Sequence, residues 1–357
     1  MKKTTTTHQI IIDAAQNMQA IADNSIALVV TSPPYPMIKM WDEIMANQNP
    51  AIQVALDENN GQTAFELMHQ ELDKVWKEVE RVLQPGGFAC INIGDATRTI
   101  NGDFALYPSH ARIINAFQEL GIPNLPNIIW RKQTNAPNKF MGSGMLPSGA
   151  YVTLEHEWIL IFRKGGKRVF KSAADKLARQ QSSYFWEERN QWFSDLWDLK
   201  GTKQRIDKSE TRKRSAAYPF EVPYRLINMF SLQQDTILDP FVGTGTTTLA
   251  AIASNRNSIG YEIDSLFLDI ILENIAATPV SFFNNYLQNR LDKHDKFVEE
   301  RTADIKKKPI KHFHKKMNVA VMTSQEKQME FNFVKELTIE DKEILVKYLD
   351  ENILTSE

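Results

Sequence analysis

Cysteine is all but missing from this sequence of 357 residues: Cys90 stands alone, which excludes an intrachain disulfide and a cysteine-rich metal site. Long apolar runs are missing as well. No stretch reaches the roughly 18 apolar residues of a membrane-spanning helix. Residues 1–7 are polar where a secretion signal would carry an apolar segment, so a cytoplasmic protein that meets no membrane is expected. Net charge is also scarce, at −2, which argues against a surface coated with basic groups. What remains is an ordinary globular composition, 42% hydrophobic and 24% charged, in a chain long enough for one large domain with appendages or for two domains.

The small net charge conceals a gradient. Residues 163–214 hold fifteen Lys or Arg against seven Asp or Glu, a local excess of +8. A run of this kind is either a solvated loop surface or a patch for an anionic partner.

Strand-like apolar runs recur at 9–12, 26–30, 88–93, 127–130, 158–162, 236–238 and 258–261, with helical candidates at 65–83, 108–120, 223–231, 246–253 and 266–276. In the segment 65–83 the apolar residues return at three and four positions, and Pro85-Gly86-Gly87 stops the helix. Strands alternating with helices predict the α/β class, a mostly parallel sheet covered on both faces. Two stretches break the alternation. Residues 164–217 are polar, basic and aromatic and read as an insertion outside the sheet, with Trp186, Trp192 and Trp197 as its own small core. Beyond about residue 291 the chain is highly charged.

Two short stretches carry chemistry. In the first, an apolar strand runs into Ser32-Pro33-Pro34-Tyr35; the two prolines lack the N–H a sheet ladder needs and fix their own φ, so the turn is stiff. In the second, Asp239-Pro240-Phe241-Val242-Gly243-Thr244-Gly245-Thr246 follows a short strand and opens a helix, letting backbone pass close to a ligand at the helix start. Glu262 lies 19 residues beyond Gly243 at the end of the next strand, where a carboxylate can accept hydrogen bonds from both hydroxyls of a ribose. Thr248 stands where a dinucleotide loop has its third glycine, and no Lys follows as in a P-loop, so the loop is not built for a pyrophosphate.

The stretch 239–246 resembles the S-adenosylmethionine-binding motif of DNA amino-methyltransferases, and Thr31-Ser32-Pro33-Pro34-Tyr35 resembles their catalytic motif. Catalytic motif first and cofactor motif late is the order of the circularly permuted β class, and the likeness extends over roughly residues 8–280. It implies a Rossmann-like S-adenosylmethionine-dependent methyltransferase fold, circularly permuted, with a mostly parallel seven-stranded sheet and an inserted target-recognition region. The implied organisation is a catalytic and cofactor-binding domain over 1–163 and 216–290, a target-recognition insert over 164–215 and a charged extension over 291–357. The implied cofactor contacts are Asp13, Phe220, Asp239, Pro240, Phe241, Gly243, Thr244, Gly245, Thr246 and Glu262, with Asp13 on the adenine amino group and Phe220 near the methionine. No metal is expected. The His312/His314 pair lacks partners at ligand spacing and reads as a solvated basic tail.

The implied target is an exocyclic amino group on a base of double-stranded DNA. Its lone pair is delocalised into the ring, so it is a poor nucleophile. The Ser32 hydroxyl and the Pro33 carbonyl would accept its two hydrogens and free that lone pair, while Pro34 braces the turn and Tyr35 stacks on the base extruded from the duplex. The insert, through Lys164, Lys167, Arg168, Lys203, Arg205, Arg212, Lys213 and Arg214, would hold phosphates, with one or two arginines reading guanine edges. Ser at the first motif position is the cytosine-N4 habit of the family, where adenine-N6 enzymes mostly carry Asp or Asn. Cytosine N4 is therefore expected and adenine N6 is the alternative. An RNA or small-molecule methyltransferase, or a DNA-binding protein without catalysis, fits the basic insert or the intact motifs less well. Methylation at carbon 5 of cytosine needs a thiolate, and Cys90 lies in an apolar strand without basic neighbours, so it is expected in the core. A separately encoded restriction endonuclease is the expected companion, and a homodimer is one implied arrangement. Residues 36–62 are long for a connection and are expected to form a mobile lid. Asp95 is either a helix cap or a supporting group of the site, and Glu155 and His156 either line the base pocket or sit at a strand edge.

Overall fold

A computed structural model describes residues 5–132, 141–142, 145–201 and 218–349. In chain order the strands are β1 (Thr5–Ile12), β2 (Ile26–Thr31), β3 (Leu83–Ile93), β4 (Ala96–Ile100), β5 (Asp103–Tyr107), β6 (Asn124–Arg131), β7 (Met141–Gly142), β8 (Ala150–Tyr151), β9 (His156–Arg163), β10 (Leu196–Asp198), β11 (Thr236–Asp239), β12 (Asn257–Glu262), β13 (His312–His314), β14 (Val319–Val321), β15 (Val334–Glu340) and β16 (Glu343–Tyr348). The α-helices are α1 (Asp42–Gln48), α2 (Ala51–Asp57), α3 (Gly61–Val82), α4 (Ser109–Glu119), α5 (Ala173–Gln181), α6 (Trp186–Trp192), α7 (Glu221–Phe230), α8 (Thr246–Ala253), α9 (Phe267–Ala277) and α10 (Val280–Ala303). Among the described residues no helix is long and apolar enough to cross a membrane.

Ten strands form one sheet in the order β10-β6-β9-β3-β2-β11-β12-β1-β16-β15. Its inner seven, β6 to β1, are the seven apolar runs of the sequence, all parallel except β9, which is antiparallel to β3 and β6. β2 is buried at all six positions, the requirement of a strand covered on both faces and the reason its sequence is unbroken apolar residues and a threonine. Its alternation divides the core in two. Val29, with Ala89 and Ile91 of β3, faces Met68 and Trp76 of α3 and Phe117 of α4. Leu28, Val30 and Cys90 face Val222 and Leu226 of α7 and Ala250 and Ala251 of α8.

α3 starts where the Asn60 side chain accepts the Thr63 N–H at 3.1 Å and ends at extended Leu83, followed by Pro85 and by Gly86 at φ +82°. These residues already open β3. Residues 36–62, expected as a lid, fold into α1 and α2, whose Met45, Ile52 and Ala55 enter the core beside Phe65.

Both stretches read as outside the sheet contribute strands to it. β10 pairs parallel with β6, and its Trp197 is fully buried and donates its indole N–H to the Trp192 carbonyl at 3.0 Å. Trp192 and Trp197 thereby join the main core, whereas Trp186 stays partly exposed, so the three do not make a separate core. At the other edge β16 pairs antiparallel with β1, and β15 with β16, through alternating residues such as Ile344, Val346 and Tyr348. His314 is buried rather than solvated: its Nδ1 accepts the Met317 N–H at 3.0 Å, which leaves Nε2–H to donate to the Met329 carbonyl at 2.8 Å.

Candidate active site

β2 and β11 lie side by side in the centre of the sheet, with Leu28 opposite Ile237 and Val29 opposite Leu238. β2 crosses over through α3 to β3 on one side, and β11 through α8 to β12 on the other. The two crossovers leave in opposite directions, so a crevice opens at the carboxyl ends of these two strands. Ser32 and Pro34 follow one strand, and Asp239, Pro240, Phe241, Gly243, Thr244 and Thr246 end and follow the other. All of them line one cleft of about 970 Å³.

Asp239 ties the two motifs together. It is 4% exposed, and its Oδ1 accepts hydrogen bonds from Thr31 Oγ1 at 2.6 Å and from the Phe241 N–H at 3.1 Å. Its Oδ2 accepts from Thr247 Oγ1 and, at 3.4 Å, from the Tyr218 hydroxyl. Burial raises its carboxyl above the usual range, and these donors work against that shift.

The cleft has an acidic wall and an apolar one. Glu262 Oε2 accepts the Gly243 N–H at 3.2 Å and its Oε1 the Asp264 N–H at 3.1 Å, and burial pushes its carboxyl up to about 7. Asp13, whose backbone N–H donates to the Glu262 carbonyl at 3.0 Å, stands beside it. Phe241, Ile263 and Phe267 supply apolar surface, and Trp41, Ile44 and Gln48 close the cleft from the segment of α1. These last three belong to the segment 36–62 that the sequence marks as a lid; sequence reasoning does not reach Tyr218, because no local pattern marks it.

Two expected cofactor contacts, Phe220 and Gly245, are not among the residues lining the cleft. Phe220 packs among Tyr224, Phe282 and Tyr286, with ring centroids 4.7–5.5 Å away, because the aromatic face of α10 covers it. Gly245, at φ +87°, turns the chain into α8 with Ile271 behind it, where an added Cβ would lie 3.2 Å from that side chain.

Behind the proline turn is a polar cluster. The Ser32 and Tyr35 hydroxyls are 3.0 Å apart, and Tyr35 Oη donates to Glu157 Oε2 at 2.9 Å. Asn92 Nδ2 reaches Tyr35 Oη at 2.8 Å, Glu157 Oε2 at 2.7 Å and Ser32 Oγ at 3.4 Å, and Lys132 holds Glu157 Oε1. The Tyr35 ring lies over Gly94, where a Cβ would come within 2.9 Å of it, so this ring is packed and hydrogen-bonded rather than free to stack. Burial and the Glu157 charge hold its hydroxyl pKa well above the ordinary value. Glu157 is the neighbour of the two residues singled out in the sequence; of these, Glu155 lies 3.7 Å from Arg131 and His156 packs edge-on to Trp158. Asp95 accepts the His110 N–H at 3.1 Å in the first turn of α4 and bonds its ring Nδ1.

The expected DNA contacts are divided. Lys164 pairs with Glu80 at 3.1 Å and Arg168 with Asp235 at 2.7 Å. Both, with Lys167, follow the end of antiparallel β9, which places them at the opposite end of the parallel strands from Ser32. The charges of Lys164 and Arg168 are already matched there, and none of the three lines the cleft. Lys203, Arg205, Arg212, Lys213 and Arg214 lie outside the described residues; the chain enters that stretch at Gly201, just after β10, and leaves it at the cleft residue Tyr218. Cys90 is fully buried between Val30 and Ile161 of the neighbouring strands, with its thiol pushed up by burial, so it offers no nucleophile.

The sequence profile of the family described as DNA methylase, covering N6 and N4 enzymes, matches residues 26–273. The Type II methyltransferase M.MthZI of Methanothermobacter thermautotrophicus is 51% identical over 91% of this chain and 90% of its own length. M.MjaI of Methanocaldococcus jannaschii, also a Type II methyltransferase, is 53% identical over 76% of this chain and 92% of its own. A solved structure from Thermus thermophilus, provisionally assigned as a DNA modification methylase and bound to S-adenosyl-L-methionine, aligns with a TM-score of 0.58 and 30% identity over 75% of this chain and 95% of that one. The cytosine-N4-specific PvuII DNA methyltransferase shares the fold, with a TM-score of 0.51 and 16% identity over 81% of this chain and 94% of its own.

Proposed function

Since this chain belongs to the N6/N4 DNA methylase family, we propose that it methylates the N4 amino group of cytosine in duplex DNA. It is a Type II DNA methyltransferase of restriction-modification kind and takes its methyl group from S-adenosyl-L-methionine. The residues lining the cleft support that donor: Glu262 would accept both ribose hydroxyls, Asp13 the adenine amino hydrogens, and Phe241, Ile263 and Phe267 would offer apolar surface to the ring. When bound, the donor supplies an electrophilic methyl group on a sulfonium sulfur.

The observation that carries the reading is that Ser32, a neutral hydroxyl at the end of β2, lines the same cleft as Glu262 and the glycine loop. A base extruded from the duplex, at a cost of a few kcal/mol, places its amino group against Ser32. There Ser32 Oγ and the Pro33 carbonyl accept the two amino hydrogens and turn the nitrogen lone pair toward the methyl group. Fixed acceptors of this kind need no reorganisation as charge develops. The basic residues between 200 and 214 hold the phosphates. An endonuclease encoded separately completes the system. Digestion of treated DNA to nucleosides, followed by mass spectrometry, tests the reading: N4-methylcytosine is expected, and N6-methyladenine alone contradicts it.

A further inference from the structure

Ser32, Tyr35, Asn92, Lys132 and Glu157 meet behind the proline turn, and counting their hydrogens fixes the direction of every bond among them. The Glu157 side chain is 12% exposed and held by Lys132, so it is an acceptor only. Tyr35 spends its single proton on Glu157 Oε2. Asn92 gives its two N–H groups to Glu157 and Tyr35; turned the other way, its Oδ1 would face the carboxylate at 2.7 Å. Among the described residues that buried Oδ1 has no partner, in keeping with an amide orientation dictated by the carboxylate. With the Tyr35 proton committed, the 3.0 Å contact between the two hydroxyls must be donated by Ser32. The Ser32 proton is thus drawn inward, and its lone pairs are left to the cleft.

We propose that Glu157 is a positioning residue: it sets the direction of this chain so that Ser32 Oγ only accepts from the target amino group, and the same chain removes the proton that this group loses. The inference rests on the role given to Ser32 above. As the N–C bond forms and the donor's S–C bond breaks, the electron pair of the latter stays on sulfur. The amino nitrogen gives one proton to Ser32 Oγ, Ser32 gives its own to Tyr35 Oη, and Tyr35 gives its own to Glu157 Oε2. The carboxyl ends neutral beside Lys132, which is 37% exposed and opens the cluster to water.

The test compares Glu157→Gln, Tyr35→Phe and their double variant in single-turnover methylation by the full chain. Each single change should slow the step by on the order of 100-fold, the low end for loss of a positioned proton acceptor. The double variant should be no slower than the slower single, because both break one chain. Donor affinity by calorimetry should stay within about twofold of the parent, as expected if only the reacting step is touched. Without any ligand, the NMR signal of isotope-labelled Tyr35 Cζ should move in Glu157→Gln and its titration shift to lower pH. Wild-type rates in Glu157→Gln, or losses that multiply in the double variant, overturn the inference and leave the reading of Ser32 standing. Full activity in Ser32→Ala overturns that reading first. If Glu157→Gln does not fold, Tyr35→Phe decides alone, and a normal rate there overturns the chain.

Discussion

Thr31 Oγ1 donates a 2.6 Å hydrogen bond to Asp239 Oδ1, and both residues are buried. Thr31 is the last residue before the proline turn and Asp239 the first of the glycine loop, so this bond continues the pairing of β2 and β11 up to the amine-gripping turn and the donor-binding loop. Thr31→Val keeps the shape and removes the donor, leaving a buried carboxylate short of one partner. We expect a loss of about 1–3 kcal/mol in stability, the cost of such an orphan, with weaker donor binding and slower methylation together. Urea denaturation and calorimetry on the same variant check this; unchanged stability would mean that Thr247 and the Phe241 N–H suffice for Asp239.

Ser32→Ala removes one acceptor for the amino hydrogens and touches no described donor-binding contact. Donor affinity should be nearly unchanged, and the single-turnover rate should fall about 100- to 1,000-fold, the range for losing one fixed partner of developing charge. Calorimetry and quenched-flow methylation separate the two quantities, and a variant as fast as the parent contradicts the role of the hydroxyl.

Glu262 gives a pH dependence whose sign follows from its burial. In the free protein its carboxyl is raised to about 7, so it is mostly protonated below that pH and ionised above it. Ribose hydroxyls donate hydrogen bonds, so binding favours the ionised form. Affinity for S-adenosyl-L-methionine should therefore be level above about pH 7 and fall toward tenfold per unit below it. Glu262→Gln should weaken binding roughly 10- to 100-fold, as for lost hydrogen bonds to a charged group, and should abolish the pH dependence. Calorimetry from pH 5.5 to 8.5, as a range of roughly three units around that value, follows both.

The central strands are legible in the sequence because a strand covered on both faces must be apolar throughout, as β2 is. The two motifs are legible because stiff turns and close backbone approach admit few residue types. The edge strands β15 and β16 hide in a stretch that reads as charged tail, since at a sheet edge every second residue of β16 faces water and its apolar positions are too sparse to stand out. Helices α1 and α2 are hard to see because neither has a side-chain cap to mark its start. Asn92, Lys132 and Glu157 are illegible for another reason. They converge from β3, the end of β6 and β9, and no periodicity in one strand records what a neighbouring strand brings to its end.

The position of the basic residues makes the last prediction a comparison of two pairs. Lys164 and Arg168 are paired with Glu80 and Asp235 at the end of the sheet away from Ser32, whereas Arg212 and Arg214 belong to the stretch that leads into the cleft at Tyr218. If phosphates are held beside the cleft, Arg212→Gln with Arg214→Gln should weaken DNA binding and flatten the slope of log affinity against log salt by about 1.8, at about 0.9 for each phosphate no longer neutralised. Lys164→Gln with Arg168→Gln removes two charges of the same sign from the same basic run, so a diffuse electrostatic attraction would respond equally to both pairs. Only contact at the cleft distinguishes them. Fluorescence-anisotropy titrations of duplex DNA between about 50 and 300 mM salt, a range wide enough to define such a slope, measure both double variants. A flattened slope in the Lys164/Arg168 pair with none in the arginine pair would move the DNA to the other end of the sheet, where the extruded base could not reach Ser32.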